Sequence, residues 1–417
     1  MQDRDQTEAS TAHRHASKPL HPKELKPAFI MKLLYACSDN ASDPHLWSGT
    51  VWNCRQALVR SGLEVEAFDR IPFSCSLSLR LLHQWYKRRG QKLHYLQIEP
   101  SILRRAARRI EQRFAKGDCA AVFTPGTGVP VYAYVSANVP VYTYLDASKR
   151  DWIQTYFGLN TLCPRSQRQV DTVDRAGFAN NRLNFFSSDW AATQAALDYD
   201  VPSNRVAVVP FGANLAEPPS HEEVTTWITT RSRQEFRLLF LGKEWERKGG
   251  PEAMALVREL NRLGVPAKMD IVGCNPPPLD HADRHNVNLH GFIDHSQPAG
   301  REKFRALLVQ THALVFLSRA EAFGIALCEA AAFGVPALAS PVGGIPTIIH
   351  EGINGWFATA PYDATSAATT LAKVWREPER YARIALGARM EFENRLNWDV
   401  TGRSLRALIE NSLQIGT

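Results

Sequence analysis

Two carboxylates, Glu321 and Glu329, stand eight residues apart in the run SRAEAFGIALCEAAAFGVPALAS. From Ile325 to Phe333, Glu329 is the one polar side chain among Ile, Ala, Leu, Cys and Phe. A helix apolar on all sides is normally buried, and a buried carboxylate costs several kcal/mol unless hydrogen-bond donors meet it. Either the protein or a ligand must supply those donors. FLSRAE reads as the end of a strand, and a helix is expected to begin about Phe323 and Gly324. That places Glu321 in the loop and Glu329 roughly one and a half turns inside the helix. The unpaired N–H groups and partial positive charge of a helix start suit a phosphate. One carboxylate is then placed to accept sugar hydroxyls on one side of that phosphate, and the other to accept ribose hydroxyls on the far side.

A group of cations precedes this pair. The segment FLGKEWERKGG carries Lys243, Arg247 and Lys248 on a short loop after a strand. Cations so placed neutralise the charge that grows on a departing diphosphate. Earlier in the chain, Ser48, Gly49 and Thr50 open a helix, where a small residue admits close approach of backbone to ligand. VPVYTYLDASK ends its strand at Asp146. Each residue alone has a plainer reading: an internal salt bridge for Glu329, a solvated lysine for Lys248, a strand-end cap for Asp146. Their common register favours chemistry.

The elements that must position these residues are legible as alternating apolar runs and longer helical patterns, the mark of repeated βα units and parallel sheets. KLLYAC, LEVEAF, AAVFT, VPVYTYL, LNFFSS and VAVVP are the strands expected of a first half. FRLLFLG, AKMDIVG, NVNLHG, ALVFLS and PALAS are those expected of a second. The segment 215–235, rich in Pro, Glu, Thr and Ser, reads as the boundary. The expected plan is a disordered tail over 1–29, one Rossmann-like domain over 31–214, and a second over 236–390. A helix within 391–417 should pack back towards the first. Ligands of doubly wound sheets bind beyond the carboxyl ends of the strands, so the site should lie in the cleft between the domains.

The run EAFGIALCEAAAFGVPALASPVGGIP resembles the Glu-x7-Glu segment of family-4 glycosyltransferases, retaining enzymes of the GT-B fold that use nucleotide-diphosphate sugars. FFSSDWAATQAALDYDVPSNRVAVVPFGAN and HEGINGWF extend the resemblance over most of 31–400. It implies that Glu321 contacts the donor sugar and Glu329 the nucleotide ribose. It makes Lys243 and Lys248 the basic pair that grips the diphosphate, with Arg247 as a third cation. Gly324 and Ile325 at the helix start, with Gly49 and Thr50 in the first domain, complete the donor-binding set. The sequence departs from the family pattern at three places: Lys243 stands where Arg is usual, Asp146 where a His is frequent, and Thr347 where an acid often follows GGIP. The resemblance further implies retention of configuration, with no metal and no resident cofactor.

Bulk composition is that of a globular protein with ample core. The 417 residues exceed one ordinary core, and 44% hydrophobic with 22% charged is a globular mix. Seven widely spaced cysteines without a Cys-x-x-Cys pair read as reduced thiols of a cytoplasmic protein. No stretch approaches the roughly 20 apolar residues of a membrane span. The net charge of +7 favours anionic partners. From Arg80 to Lys116, eleven Lys or Arg interleave with Leu, Trp85, Tyr86, Tyr95 and Ile102. This segment is either a solvated helix face or a basic amphipathic surface for an anionic membrane. No nucleic-acid module accompanies the charge. The expected function is transfer of a hexose or related sugar to a glycan, lipid-linked or small-molecule acceptor. Its rivals are a noncatalytic nucleotide-sugar-binding protein and a nicotinamide-dependent oxidoreductase, the latter disfavoured because no G-x-G-x-x-G follows the first strand.

Overall fold

The computed structural model describes residues 31–414 except 73–74, 90–91, 127–128, 275–278 and 296. The expected tail over 1–29 lies outside the described residues. The first six strands are β1 (Lys32–Ala36), β2 (Glu64–Phe68), β3 (Ala121–Pro125), β4 (Val141–Leu145), β5 (Leu183–Phe186) and β6 (Val206–Val208). They form one parallel sheet in the order β2-β1-β3-β4-β5-β6. The next six are β7 (Phe236–Leu241), β8 (Ala267–Val272), β9 (Val287–Gly291), β10 (Ala313–Phe316), β11 (Ala337–Ala339) and β12 (Gly355–Phe357). They pair in parallel as β12-β11-β10-β7-β8-β9.

Every apolar run named above falls on a strand, and β12 was not anticipated. The central strands β3, β4, β5 and β10 are buried along their whole length. Both faces of a parallel sheet are covered by helices, so such strands are continuously apolar rather than alternating. In each sheet the strand order reverses once, between β1 and β3 and between β7 and β10, and clefts open at such points.

The segment read as a boundary holds a helix, His221–Thr230, with a capping box between Ser220 and Glu223. Its Val224 and Ile228 are buried in the core of the second half. At the other end of that half, the helix Pro378–Asn394 leads through Arg395 to the helix Trp398–Gln414. The latter lies on Thr50–Arg60 of the first half. A Cβ at Gly402 would stand 2.4 Å from the Ala57 carbonyl, so the two helices touch through backbone. Arg60 Nε lies 2.6 Å from Asp399 Oδ1, and Tyr142 Oη 2.5 Å from Ser412 Oγ. The two chain passages between the halves run side by side, tied by Ala213 N–H to the Leu396 carbonyl (3.0 Å) and Thr401 Oγ1 to the Pro210 carbonyl (2.8 Å). All seven cysteines are free. No helix among the described residues is long and apolar enough to cross a membrane.

Candidate active site

The loop after β7 reaches the end of β10 because glycine permits it. Gly249 has φ +77°, and a Cβ there would lie 2.1 Å from the Leu317 carbonyl oxygen. Only a residue without a side chain makes that approach. The close contact delivers the Lys248 ammonium to the Glu321 carboxylate, to which it hydrogen-bonds, with the Phe316 ring 4.6 Å from Nζ. Glu321 is fixed from behind as well. Gly343, at φ +53°, lies so close that a Cβ would overlap the Glu321 carbonyl oxygen at 1.7 Å, and Gly344 N–H donates to the Ala322 carbonyl at 3.1 Å. Ser318 Oγ lies 3.4 Å from Glu321 Oε2.

The other two cations of this loop diverge. Arg247 is engaged by Glu244 Oε2 (2.5 Å) and the Ala320 carbonyl (2.9 Å), and its Nη1 stands 3.9 Å from Glu321. Lys243 is exposed, with its ammonium 4.7 Å from the Phe292 ring centre beyond β9. The structure thus brings Lys248 and Glu321 together, keeps Arg247 at their edge, and gives Lys243 a separate neighbour.

The helix Ile325–Ala332 starts after Gly324, whose φ of +101° turns the chain into the first turn. Among the described residues the backbone N–H groups of Gly324, Ile325 and Ala326 meet no acceptor. They carry the positive end of the helix dipole. Glu329, one turn further in, is buried, and its carboxylate has no hydrogen-bond partner among the described residues. Burial alone pushes its pKa up to about 8. The question posed by the apolar run therefore remains open in the protein itself: nothing in the described chain satisfies Glu329.

On the first-half side, Asp146 follows β4 at the mouth of the same cleft. Desolvation pushes its pKa up to about 7 against the charge of Lys149, and the Glu321 carboxylate across the cleft adds to the rise. Lys149 is itself buried, its pKa lowered by desolvation, within the fields of Asp174, Asp146 and Asp39. The turn before Thr50–Arg60 is left-handed at three successive residues, Trp47 (φ 49°), Ser48 (φ 55°) and Gly49 (φ 88°). Two of them bear side chains, and that backbone needs support. Asn214 supplies it, donating to the Ser48 carbonyl (2.6 Å) and Thr50 Oγ1 (3.3 Å) and accepting from Trp398 Nε1 (2.8 Å).

Tyr156 and Thr347 make polar contacts between the halves, beside the edge-on packing of Phe211 against Phe323 with ring centres 5.1 Å apart. Tyr156, at the end of the helix Lys149–Tyr156, accepts a hydrogen bond from Ala322 N–H (3.0 Å), places its hydroxyl 3.5 Å from Glu321 Oε1, and lies beneath the Arg247 guanidinium at 5.1 Å. Thr347 bonds to Asp189 Oδ2 (3.0 Å) and accepts from Asp189 N–H (3.0 Å), so the residue in place of an acid serves to join the halves. Lys149, Tyr156 and Asn214 were missed by sequence reasoning; Lys149 lay within the quoted strand-end run, and its place three residues after Asp146 was the available signal. Among the described residues, one trio has metal-ligand types and spacing, Glu66, Asp118 and Cys119. Arg113 and Lys32 already hold its two carboxylates.

Residues 225–390 match the family model of glycosyl transferases group 1. Glycogen synthase of Mycobacterium tuberculosis is 29% identical over 168 residues, 39% of this chain and 39% of that protein. D-inositol 3-phosphate glycosyltransferase of Xylanimonas cellulosilytica is 26% identical over 213 residues, 48% of this chain and 50% of that protein. The matched region thus spans half or less of each relative. The Anabaena HepE structure in complex with UDP superposes with a TM-score of 0.60 at 15% identity, covering 92% of this chain and all of that one. The chain therefore carries a glycosyl transferases group 1 domain over 225–390, in a molecule whose two facing parallel sheets have the GT-B fold.

Proposed function

We propose that the protein is a retaining, metal-independent glycosyltransferase that moves a sugar from a nucleoside diphosphate sugar to an acceptor bound mainly by the first half. The observation that carries this reading is the unpartnered Glu329 carboxylate one turn inside a helix whose first N–H groups are open, with Lys248 and Glu321 at its mouth. A diphosphate fits the helix start, where its charge meets the N–H groups and Lys248. The nucleoside ribose then reaches Glu329, and the sugar faces Glu321 and Asp146. As the anomeric carbon–oxygen bond breaks, the electron pair leaves with the diphosphate, and Lys248 with the helix start stabilises the new charge. The acceptor oxygen attacks from the face of departure, and its proton passes to the leaving phosphate oxygen. Lys248 and the helix start supply that positive charge, so the proposed step calls for no divalent ion.

HepE binds UDP, which makes uridine diphosphate sugars the first donors to test. A thermal-shift screen of nucleotide sugars identifies the donor, because a ligand of the folded state raises Tm. Turnover of that donor, labelled at the anomeric carbon, then separates an enzyme from a binding protein. Proton NMR of early product should show the donor's own anomeric configuration, with activity unchanged in chelator. An inverted signal, or activity lost in chelator and restored by a divalent ion, would overturn the proposal.

A further inference from the structure

The helix Leu77–Arg88 presents three large apolar side chains to solvent: Leu77, 73% exposed, Leu81, 63%, and Trp85, 45%. Spaced four residues apart, they form a single stripe. Exposed apolar residues scattered singly need no explanation, whereas a contiguous row marks an interaction surface. Arg80, Lys87, Arg88 and Arg89 border the stripe, all exposed. Among the described residues none of the four is in an ion pair, and Arg89 lies 4.4 Å from the Trp85 ring centre. From Leu77 to Ile98 the sequence has no Asp or Glu. The first acid, Glu99, is buried and held by Arg165. Beneath the stripe, the buried Leu79 and the packing of Tyr86 on His94, 5.3 Å between ring centres, fasten the helix to the domain. A merely solvated face would carry its charges where Leu77, Leu81 and Trp85 stand.

The surface leads to the cleft. Leu93, 53% exposed, pairs with the chain at Leu162, its N–H bonded to the Thr161 carbonyl at 2.8 Å. That loop follows Phe157, 60% exposed, the neighbour of the Tyr156 that touches Glu321. We infer that this face of the first half seats on an anionic lipid bilayer. Leu77, Leu81 and Trp85 enter the boundary between headgroups and acyl chains, and the four bordering cations meet lipid phosphates. A lipid-linked acceptor then approaches Asp146 and Glu321 past Leu93 and Phe157, a consequence that rests on the glycosyl-transfer reading; the docking itself does not.

Sedimentation with vesicles tests the docking, using phosphatidylcholine alone and phosphatidylcholine mixed with phosphatidylglycerol at moderate salt. The protein should partition about tenfold or more towards the anionic vesicles. The variant Leu81→Gln with Trp85→Gln should bind both kinds poorly, and Arg80→Glu with Arg88→Glu should lose the anionic preference. These side chains are exposed, so Tm and donor affinity should be unchanged in all variants. Equal sedimentation with neutral vesicles, or full binding by the Leu81 and Trp85 variant, would overturn the inference. So would a concentration-dependent dimer abolished by Trp85→Gln without vesicle binding, which assigns the stripe to a second copy. Vesicle binding by a protein that takes no nucleotide sugar would instead overturn the reading of the site and leave the docking intact.

Discussion

Glu329 holds its proton up to about pH 8 because burial leaves its carboxylate without a donor. Ribose hydroxyls that donate to the ionised form lower that pKa, so binding near pH 7 should release up to one proton. Calorimetry in buffers of different ionisation enthalpy reads this directly, and Glu329→Gln should remove it. Glu329→Ala should weaken donor binding by about 1.5–3 kcal/mol, the usual worth of a charged hydrogen bond. Tight binding without proton release would place the ribose elsewhere. In the free protein the folded state keeps a proton that the unfolded state loses near pH 4.5. Stability from this group is therefore complete below about pH 4.5 and declines as pH rises towards 8. Asp146, raised to about 7, and Asp174, raised to about 6, act in the same direction. Glu329→Gln should flatten the fall of Tm across that range without abolishing it. Lys248 differs in kind, since its partner is the Glu321 carboxylate and its charge matters most as the diphosphate departs. Lys248→Ala should lower kcat by roughly 10²–10³ with a smaller change in donor affinity. A rise in KM alone would make it a binding residue.

Loops and helix starts, rather than strands, decide whether this site exists. Gly249→Ala must open the contact with Leu317, and with it the reach of Lys248 to Glu321. Activity should fall sharply while circular dichroism keeps both sheets, and unchanged kcat would separate loop position from catalysis. Much of this level was legible. Continuous apolar runs marked the inner strands such as β3, β4 and β10, which are buried on both faces, whereas the edge strands β2 and β9 are partly exposed and carry polar residues within their runs. β12 escaped because Gly355–Phe357 is three residues long and begins with glycine. The helix His221–Thr230 hid inside a Pro- and Thr-rich segment, although Ser220 and Glu223 already spelt its capping box. At the site, Glu321, Glu329 and Lys248 stood out through spacing within one domain. Tyr156 and Asn214 did not, since their partners lie on another element far along the chain, and no local pattern announces such a contact. Lys243 and Lys248 looked equivalent in sequence, yet the loop turns one towards Phe292 and the other towards Glu321.

Across the whole molecule, the halves are joined by two chain passages and by Tyr156 and Asp189 reaching over the cleft. Asn214 lies where these passages meet, bonded to the strained turn at Ser48 and to Trp398. Asn214→Ala leaves the Trp398 indole N–H without its acceptor, a loss of about 1–3 kcal/mol read as a lower Tm. Because the turn at Gly49 loses its support too, donor turnover should fall further than the Tm shift explains; equal effects would limit Asn214 to a structural role. The return of Trp398–Gln414 onto Thr50–Arg60 also bears on the order in which the molecule is made. The first half has all its strands once β6 emerges from the ribosome, but the surface around Ala57 stays bare until the second half has been translated. Synthesis from the amino end therefore delivers every strand of the first sheet well before the helix that covers Ala57, and the first half is sealed only when Trp398–Gln414 has been made.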